Sequence, residues 1–339
     1  MTAKAGGKPK VYGIGNPLID VLAHVSDDDI ETLELEKGTM TLINTERGNE
    51  ILKHIDGLEK QYSCGGSAPN TMITLSALGI ETALAGMVGS DELGDIYIKR
   101  LESKEVLSDL TVVSGGDTGS CIVLVTPDYE RTMSTRLGVC QEFGPDQVNH
   151  DRIANADYFY FTGYMWDTGS QKEAIKSAIS TARKNNTKVA FDVADPFCVE
   201  RHRDDFHDLI ENYVDVLLAN RDEARLLLDY DDPERASAEL AKKNVIAAVK
   251  NCADGSCITE NNSKTCLIDA FTVEAVDSTG AGDNYAAGFI YGLINGYSIA
   301  EAGRLASYIA AQIVRQTGAQ FDEKTAKTII QDINEGKLL

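Results

Sequence analysis

From about residue 157 the chain alternates short β-like runs with amphipathic helical ones, and this rhythm constrains the fold more than any other feature. Strands are expected at 158–161, 188–192, 214–219, 246–250 and 265–268. Helices are expected at 171–184, 204–212, 221–228, 233–242, 283–295 and 299–315. Strands that alternate with helices need crossovers, so the rhythm predicts a parallel sheet covered on both faces.

The first half has a different texture. Residues 11–25 read as a strand, a kink at Gly15-Asn16-Pro17, and a second extended run. Residues 26–50 are short, acidic and mixed, with a possible strand at 39–43. Gly65-Gly66 precede a helical pattern at 68–78, followed by a strand at 82–88 and a helix at 92–100. Runs at 111–113, 120–126 and 131–134, separated by Gly-Gly-Asp and Pro-Asp turns, read as antiparallel hairpins. The expected organisation is one large α/β unit (1–15, 51–109 and 139–339) and a small β flap from two inserts (16–50 and 110–138). Ligands in such sheets bind at the carboxyl ends of strands, and a flap hinged there would act as a lid.

Charge narrows the partners. A formal net charge of −21 repels nucleic-acid phosphates and anionic membranes, so neither is an expected partner. A small anionic ligand remains compatible, because local backbone N–H groups outweigh a distant net charge. The first ten residues are basic, but Asn16, Pro17 and Asp20 interrupt the apolar stretch after them, unlike a signal-peptide core. The apolar helical run at 285–294 is too short to span a bilayer. These features predict a cytoplasmic, soluble chain. Its seven cysteines have no repeating spacing, and reduced thiols are the expectation.

The sharpest motif is Val276-Asp277-Ser278-Thr279-Gly280-Ala281-Gly282-Asp283-Asn284, between a β-like run at 271–276 and a strongly apolar helix. Gly280 and Gly282 let the backbone turn tightly and expose successive N–H groups. At a helix N-terminus those groups and the dipole make an anion hole suited to a phosphoryl group. Asp283 stands beside it and can take a proton from an attacking hydroxyl. Capping a turn and a helix is the plainer role for Asp277 and Asp283, but it does not account for two acids and two glycines within seven residues.

Three further clusters fit the same chemistry. In Ser63-Cys64-Gly65-Gly66-Ser67-Ala68-Pro69-Asn70, the glycines admit a ligand to the backbone and Asn70 can pair with vicinal hydroxyls. An ordinary turn with Pro69 early in a helix is the alternative. In Asn220-Arg221-Asp222-Glu223, the Asn and Glu oxygens can face a hydrated Mg²⁺, or simply cap a helix. Asp20 could accept hydrogen bonds from sugar hydroxyls or be a surface acid.

Together these motifs resemble the ribokinase-like (PfkB) family of carbohydrate and nucleoside kinases, in the family's order and from about Gly13 to Ala319. The resemblance implies a Rossmann-like three-layer α/β/α sandwich with a small β-sheet lid. It implies Asp283 as catalytic base, with Gly280, Ala281 and Gly282 as anion hole. It implies Asp20, Gly65, Gly66 and Asn70 on the acceptor's hydroxyls and Glu223 organising Mg²⁺ through water. ATP is implied near Asn220, Lys250, Gly255, Thr279, Gly280, Gly282, Ala311 and Gly318. The chain departs from the family's Gly-x-x-Gly turn, since Cys252 stands where the first glycine is expected.

The opening Gly15-Asn16-Pro17-Leu18-Ile19-Asp20 is similar to that of the family's adenosine kinase-like members. A nucleoside base needs a flat apolar slot, for which Met40, Met133, Tyr164, Met165 and Trp166 are candidates. Arg136 could hold a phosphate or acidic acceptor group, or close the lid over ATP. The implied activity is γ-phosphoryl transfer to the 5′ hydroxyl of a nucleoside, adenosine foremost, by a monomer or homodimer. Sugar kinases of the family and a non-catalytic nucleoside sensor are the alternatives.

Overall fold

The structure, a computed structural model, describes residues 9–337 except 129, 243 and 262. Its strands are Val11–Ile14 (β1), Leu18–His24 (β2), Met40–Leu42 (β3), Lys60–Gly65 (β4), Thr82–Gly89 (β5), Leu107–Val113 (β6), Gly119–Val125 (β7), Arg131–Arg136 (β8), Tyr158–Thr162 (β9), Lys188–Asp192 (β10), Val216–Asn220 (β11), Ile246–Lys250 (β12), Ser256–Glu260 (β13) and Cys266–Ile268 (β14). They form a nine-stranded sheet, β14-β13-β12-β11-β10-β9-β1-β5-β6, and a five-stranded sheet, β3-β8-β7-β2-β4.

The large sheet is buried on both faces, which is why its central strands are apolar without alternation. Tyr12, Phe159, Phe161, Phe191, Leu217 and Val249 pack under helices Gly169–Asn185, Pro196–Asn212, Arg221–Leu228 and Pro233–Leu240. Val11, Leu84, Tyr160, Ala190, Leu218 and Ala248 pack under helices Ser67–Ala77, Glu92–Ser103, Ala281–Ile294 and Ile299–Ile313. The three-layer α/β/α architecture expected from the alternation is present. No helix among the described residues is long and apolar enough to cross a membrane.

Several elements differ from expectation. Lys60–Gly65, assigned by sequence to the large unit, is an edge strand of the small sheet, paired antiparallel with β2. Residues 111–113, expected in a hairpin, belong instead to Leu107–Val113, which runs parallel to β5 at the edge of the large sheet. The sheet is not wholly parallel, because β12, β13 and β14 meander antiparallel through short turns. No strand forms at 271–276. Helix Thr45–His54 arises within the mixed segment, capped by Asn44, and it covers the small sheet.

On one face of the small sheet Ala23, Ile122 and Leu124 pack with Ile30 of helix Asp27–Thr32, Ile51 of helix Thr45–His54 and Ile55, which caps the latter. The other face carries Leu22, Cys121, Val123 and Met133. Strand alternation puts Asp20 and Arg131 on this second face too.

Candidate active site

The loop before helix Ala281–Ile294 is shaped by Asp277. Its carboxylate accepts from the Thr279 N–H (2.9 Å), the Thr279 hydroxyl (2.6 Å) and the Gly318 N–H (2.9 Å). Burial opposes its ionisation, but these bonds hold it below the usual carboxylate range. Gly280 then turns at φ +75°, where an added Cβ would lie 2.4 Å from the Ala319 Cβ. The Ala281 N–H returns to the Ser278 carbonyl (3.1 Å) and the Asn284 N–H to the Gly280 carbonyl (2.9 Å). Between them, the N–H groups of Gly282 and Asp283 have no acceptor among the described residues. Two open amides at a helix start form a corner able to take an anion, and Ala281, expected among its donors, spends its N–H on Ser278 instead. Asn284, whose role the motif alone did not reveal, clamps the corner. Its amide donates to the carbonyls of Gly280 (2.8 Å) and Ala319 (2.9 Å), and its oxygen accepts from Thr74 (2.7 Å).

The Asp283 carboxylate turns toward the Gly-Gly segment, accepting from the Ser67 hydroxyl (2.6 Å) and the Asn70 amide (2.9 Å). Burial pushes its pKa up to about 6, with the two hydrogen bonds opposing. Gly66 takes φ +100° between β4 of the small sheet and helix Ser67–Ala77 of the large one, and an added Cβ would strike the Asn16 carbonyl at 2.2 Å. Gly65 lies against Asp20, whose Oδ2 is 2.6 Å from where a Cβ would stand. Burial pushes Asp20 up to about 6, and Arg131 pulls the other way.

Three strand ends form the floor. Asp192 ends β10, Asn220 ends β11 and Lys250 ends β12, with Asn220 and Lys250 in register. The Lys250 Nζ lies 3.2 Å from both Asp192 oxygens and 3.4 Å from the ideal Cβ position of Gly282. Burial works against this ammonium, but Asp192 and Glu223 raise its pKa above the ordinary lysine value. Asp192 went unnoticed in the sequence, although an acid closing a buried strand was a usable signal. Glu223 accepts from the Asn220 N–H (2.8 Å) and side-chain amide (2.6 Å), while Asn220 Oδ1 accepts from the Glu223 N–H (2.8 Å). Burial pushes Glu223 upward, and Lys250 opposes it. Both readings of the Asn-x-x-Glu motif are thus compatible, since the helix cap itself aims the carboxylate.

In the turn between β12 and β13, Gly255 takes φ +90° and Cys252 takes φ +49°. The exposed Cys252 adopts the left-handed conformation that a glycine would favour. The turn closes through the Asn251 N–H donating to the Gly255 carbonyl (2.7 Å). Ala311 is buried in helix Ile299–Ile313.

Some expected residues lie elsewhere. Arg136 sits on the helix-covered face of the small sheet, donating to Ser120 (2.8 Å) and Asn49 (3.1 Å), because strand alternation turns it away from Met133. Arg131, five residues earlier on the same strand, is the small-sheet arginine that reaches the loop before helix Ala281–Ile294, donating to Asp277 (3.0 Å) and Thr279 (2.5 Å). Met165 and Trp166 are core residues. Trp166 stacks on Phe161, meets Phe206 edge-on and donates to Asp205. Tyr164 is half-buried, its hydroxyl 3.1 Å from Asp195 in the loop after β10. Met40 and Met133 are register partners on β3 and β8.

The family model described as pfkB family carbohydrate kinase matches residues 39–326. The chain belongs to this family. It is therefore a phosphotransferase with an alcohol group as acceptor. An adenosine kinase structure from Sinorhizobium meliloti superposes with a TM-score of 0.87 at 34% identity, covering 96% of this chain and 99% of that one. A probable sugar kinase structure from Rhizobium etli gives 0.88 at 32%, covering 98% and 99%. An uncharacterized sugar kinase of Archaeoglobus fulgidus is 31% identical over 73% of this chain and 96% of its own.

Proposed function

We propose that this pfkB-family kinase transfers the γ-phosphoryl group of ATP to the 5′ hydroxyl of a nucleoside, adenosine foremost. The observation that carries the reading is the Asp283 carboxylate beside the open amides of Gly282 and Asp283. A hydroxyl between carboxylate and corner would lose its proton to Asp283 while the N–H groups and Lys250 stabilise the migrating phosphoryl charge. Asp20, Gly65 and Asn70 would hold the ribose hydroxyls. Ala311, Gly255 and Gly318 would border the nucleotide, with Asn220 and Thr279 near its phosphates.

Mg²⁺ fits this site through water. Among the described residues no three His, Cys, Asp or Glu side chains are grouped to bind a metal directly. Each Glu223 oxygen accepts one hydrogen bond from Asn220, leaving lone pairs for ion-bound water. The ion would neutralise triphosphate charge.

Nucleoside over free sugar is favoured by the apolar cleft face of the small sheet. Leu22, Cys121, Val123 and Met133 form one apolar patch there, and Tyr164 stands at the end of β9. A flat base would bury against such a surface. The small sheet would close as a lid, bending at Gly65 and Gly66 and excluding water.

A coupled ADP-release assay with ATP, Mg²⁺ and adenosine, inosine, ribose or fructose tests the reading. Preferred turnover of adenosine is expected. Turnover of a free sugar alone would replace the nucleoside assignment, and no ADP release with any acceptor would favour the sensor alternative.

A further inference from the structure

Asn70 is 5% exposed and donates to Asp283, and something must fix which end of its amide faces that carboxylate. The answer begins outside the motifs, at Arg100 on helix Glu92–Ser103. Its Nε and Nη2 both donate to the Gln320 Oε1, at 3.0 and 2.8 Å. A guanidinium has no acceptor, so the Gln320 atom it meets must be the oxygen. The Gln320 amino group then faces the Cys64 carbonyl (2.6 Å) and the Asn70 Oδ1 (3.2 Å). A backbone carbonyl can only accept, so this end is fixed as well. Asn70 consequently turns its own amino group to Asp283.

We propose that Gln320 is a positioning residue that locks Asn70 as a hydrogen-bond donor to Asp283 and so keeps Asp283 in its ionised form. A free Asn70 amide could flip and accept from a protonated Asp283. The lock forbids that orientation and withholds its stabilisation from the neutral acid. The same Gln320 amino group holds the carbonyl of Cys64, next to Gly65, which also accepts from Tyr97 of helix Glu92–Ser103 (2.8 Å). One helix therefore steadies both the Asp283 partner and the end of the small-sheet strand beside it. The inference rests on the proposed role of Asp283 as base.

Gln320 is uncharged, so replacing it removes no charge from the groups around Asp283, which are Asp192, Lys250, Glu223, Tyr160 and Tyr164. It does strip the Arg100 guanidinium of its acceptor, and a charge effect from Arg100 would persist in the Asn70→Ala background. The test is Gln320→Met, which keeps the volume and removes both amide ends. Loss of the donor lock should move the acidic limb of the kcat–pH profile upward by about 0.5–1 pH unit, the worth of one hydrogen bond. The KM for ATP should stay within about twofold, since the acceptor side alone is perturbed. In an Asn70→Ala background the same substitution should move the limb no further. An unshifted limb, or a shift that persists without Asn70, overturns the proposal. The ¹³Cγ titration of Asp283, assigned by its loss in Asp283→Asn, reads the same midpoint without turnover. If no acceptor is phosphorylated, or Asp283→Asn works normally, the base assignment falls and this titration alone decides the role of Gln320. Equal midpoints in the native and Gln320→Met proteins would then reject it.

Discussion

Arg131 of the small sheet donates to Asp277 of the anion corner at 3.0 Å, across 146 residues of sequence. The pair ties the two sheets together at the point where a phosphoryl group would sit. Its arginine is 31% exposed, so the contact adds at most about 1 kcal/mol to stability. Its value would lie in positive charge held beside the phosphoryl group. Arg131→Met is therefore expected to lower kcat by roughly 10²–10³-fold, as loss of one transition-state donor does. The melting temperature should hardly move. Steady-state kinetics beside calorimetry checks this, and an unchanged kcat would remove Arg131 from the chemistry.

Asp283→Asn should cost about 10²–10⁴-fold in kcat, the usual worth of a general base, while calorimetric ATP binding persists. A base works only when ionised. Because burial holds Asp283 at about 6, native kcat should fall as pH drops below that value and level off above it. A flat profile from pH 5 to 8 would show that another group sets the rate.

Gly280→Ala should damage the corner without touching any reacting side chain. At φ +75° an L-residue loses about 1–2 kcal/mol, and the new Cβ would overlap Ala319. The expected result is a lowered melting temperature together with severe loss of activity. Gly169→Ala is the control, since an added Cβ there meets nothing within 4 Å.

What the sequence disclosed follows from range. The tight turn into helix Ala281–Ile294 was legible because its determinants are local: two glycines, two acids and a helix start within seven residues. The alternation after residue 157 was equally plain, since each strand and helix carries its own periodicity. What failed depended on partners far along the chain. Lys60–Gly65 joins the small sheet only because β2 pairs with it. Arg131 and Arg136 look interchangeable in sequence, and only strand parity separates the cleft face from the helix face. Asp192 gains meaning from Lys250, 58 residues later. Trp166 looked like a base platform until Phe161 and Phe206 enclosed it.

Lys250 is a cation shared by Asp192, Glu223 and Asp283, and its removal gives a prediction with a definite sign. Burial already raises the pKa of all three carboxyl groups, and Lys250 opposes each rise. Lys250→Met would let them rise further. An acid whose folded pKa exceeds its unfolded one binds more protons when folded. Stability therefore declines as pH climbs from the unfolded value, about 4, through the folded one. The variant should be close to native stability at pH 5, where protonation relieves the buried charges. At pH 8 the deficit should reach about 3–5 kcal/mol, the cost of stripping one partner from a buried ion pair. Calorimetric melting at both pH values measures the difference. An equal deficit at pH 5 and pH 8 would mean that Lys250 acts by packing, and that its charge does not govern the acids on the floor of the site.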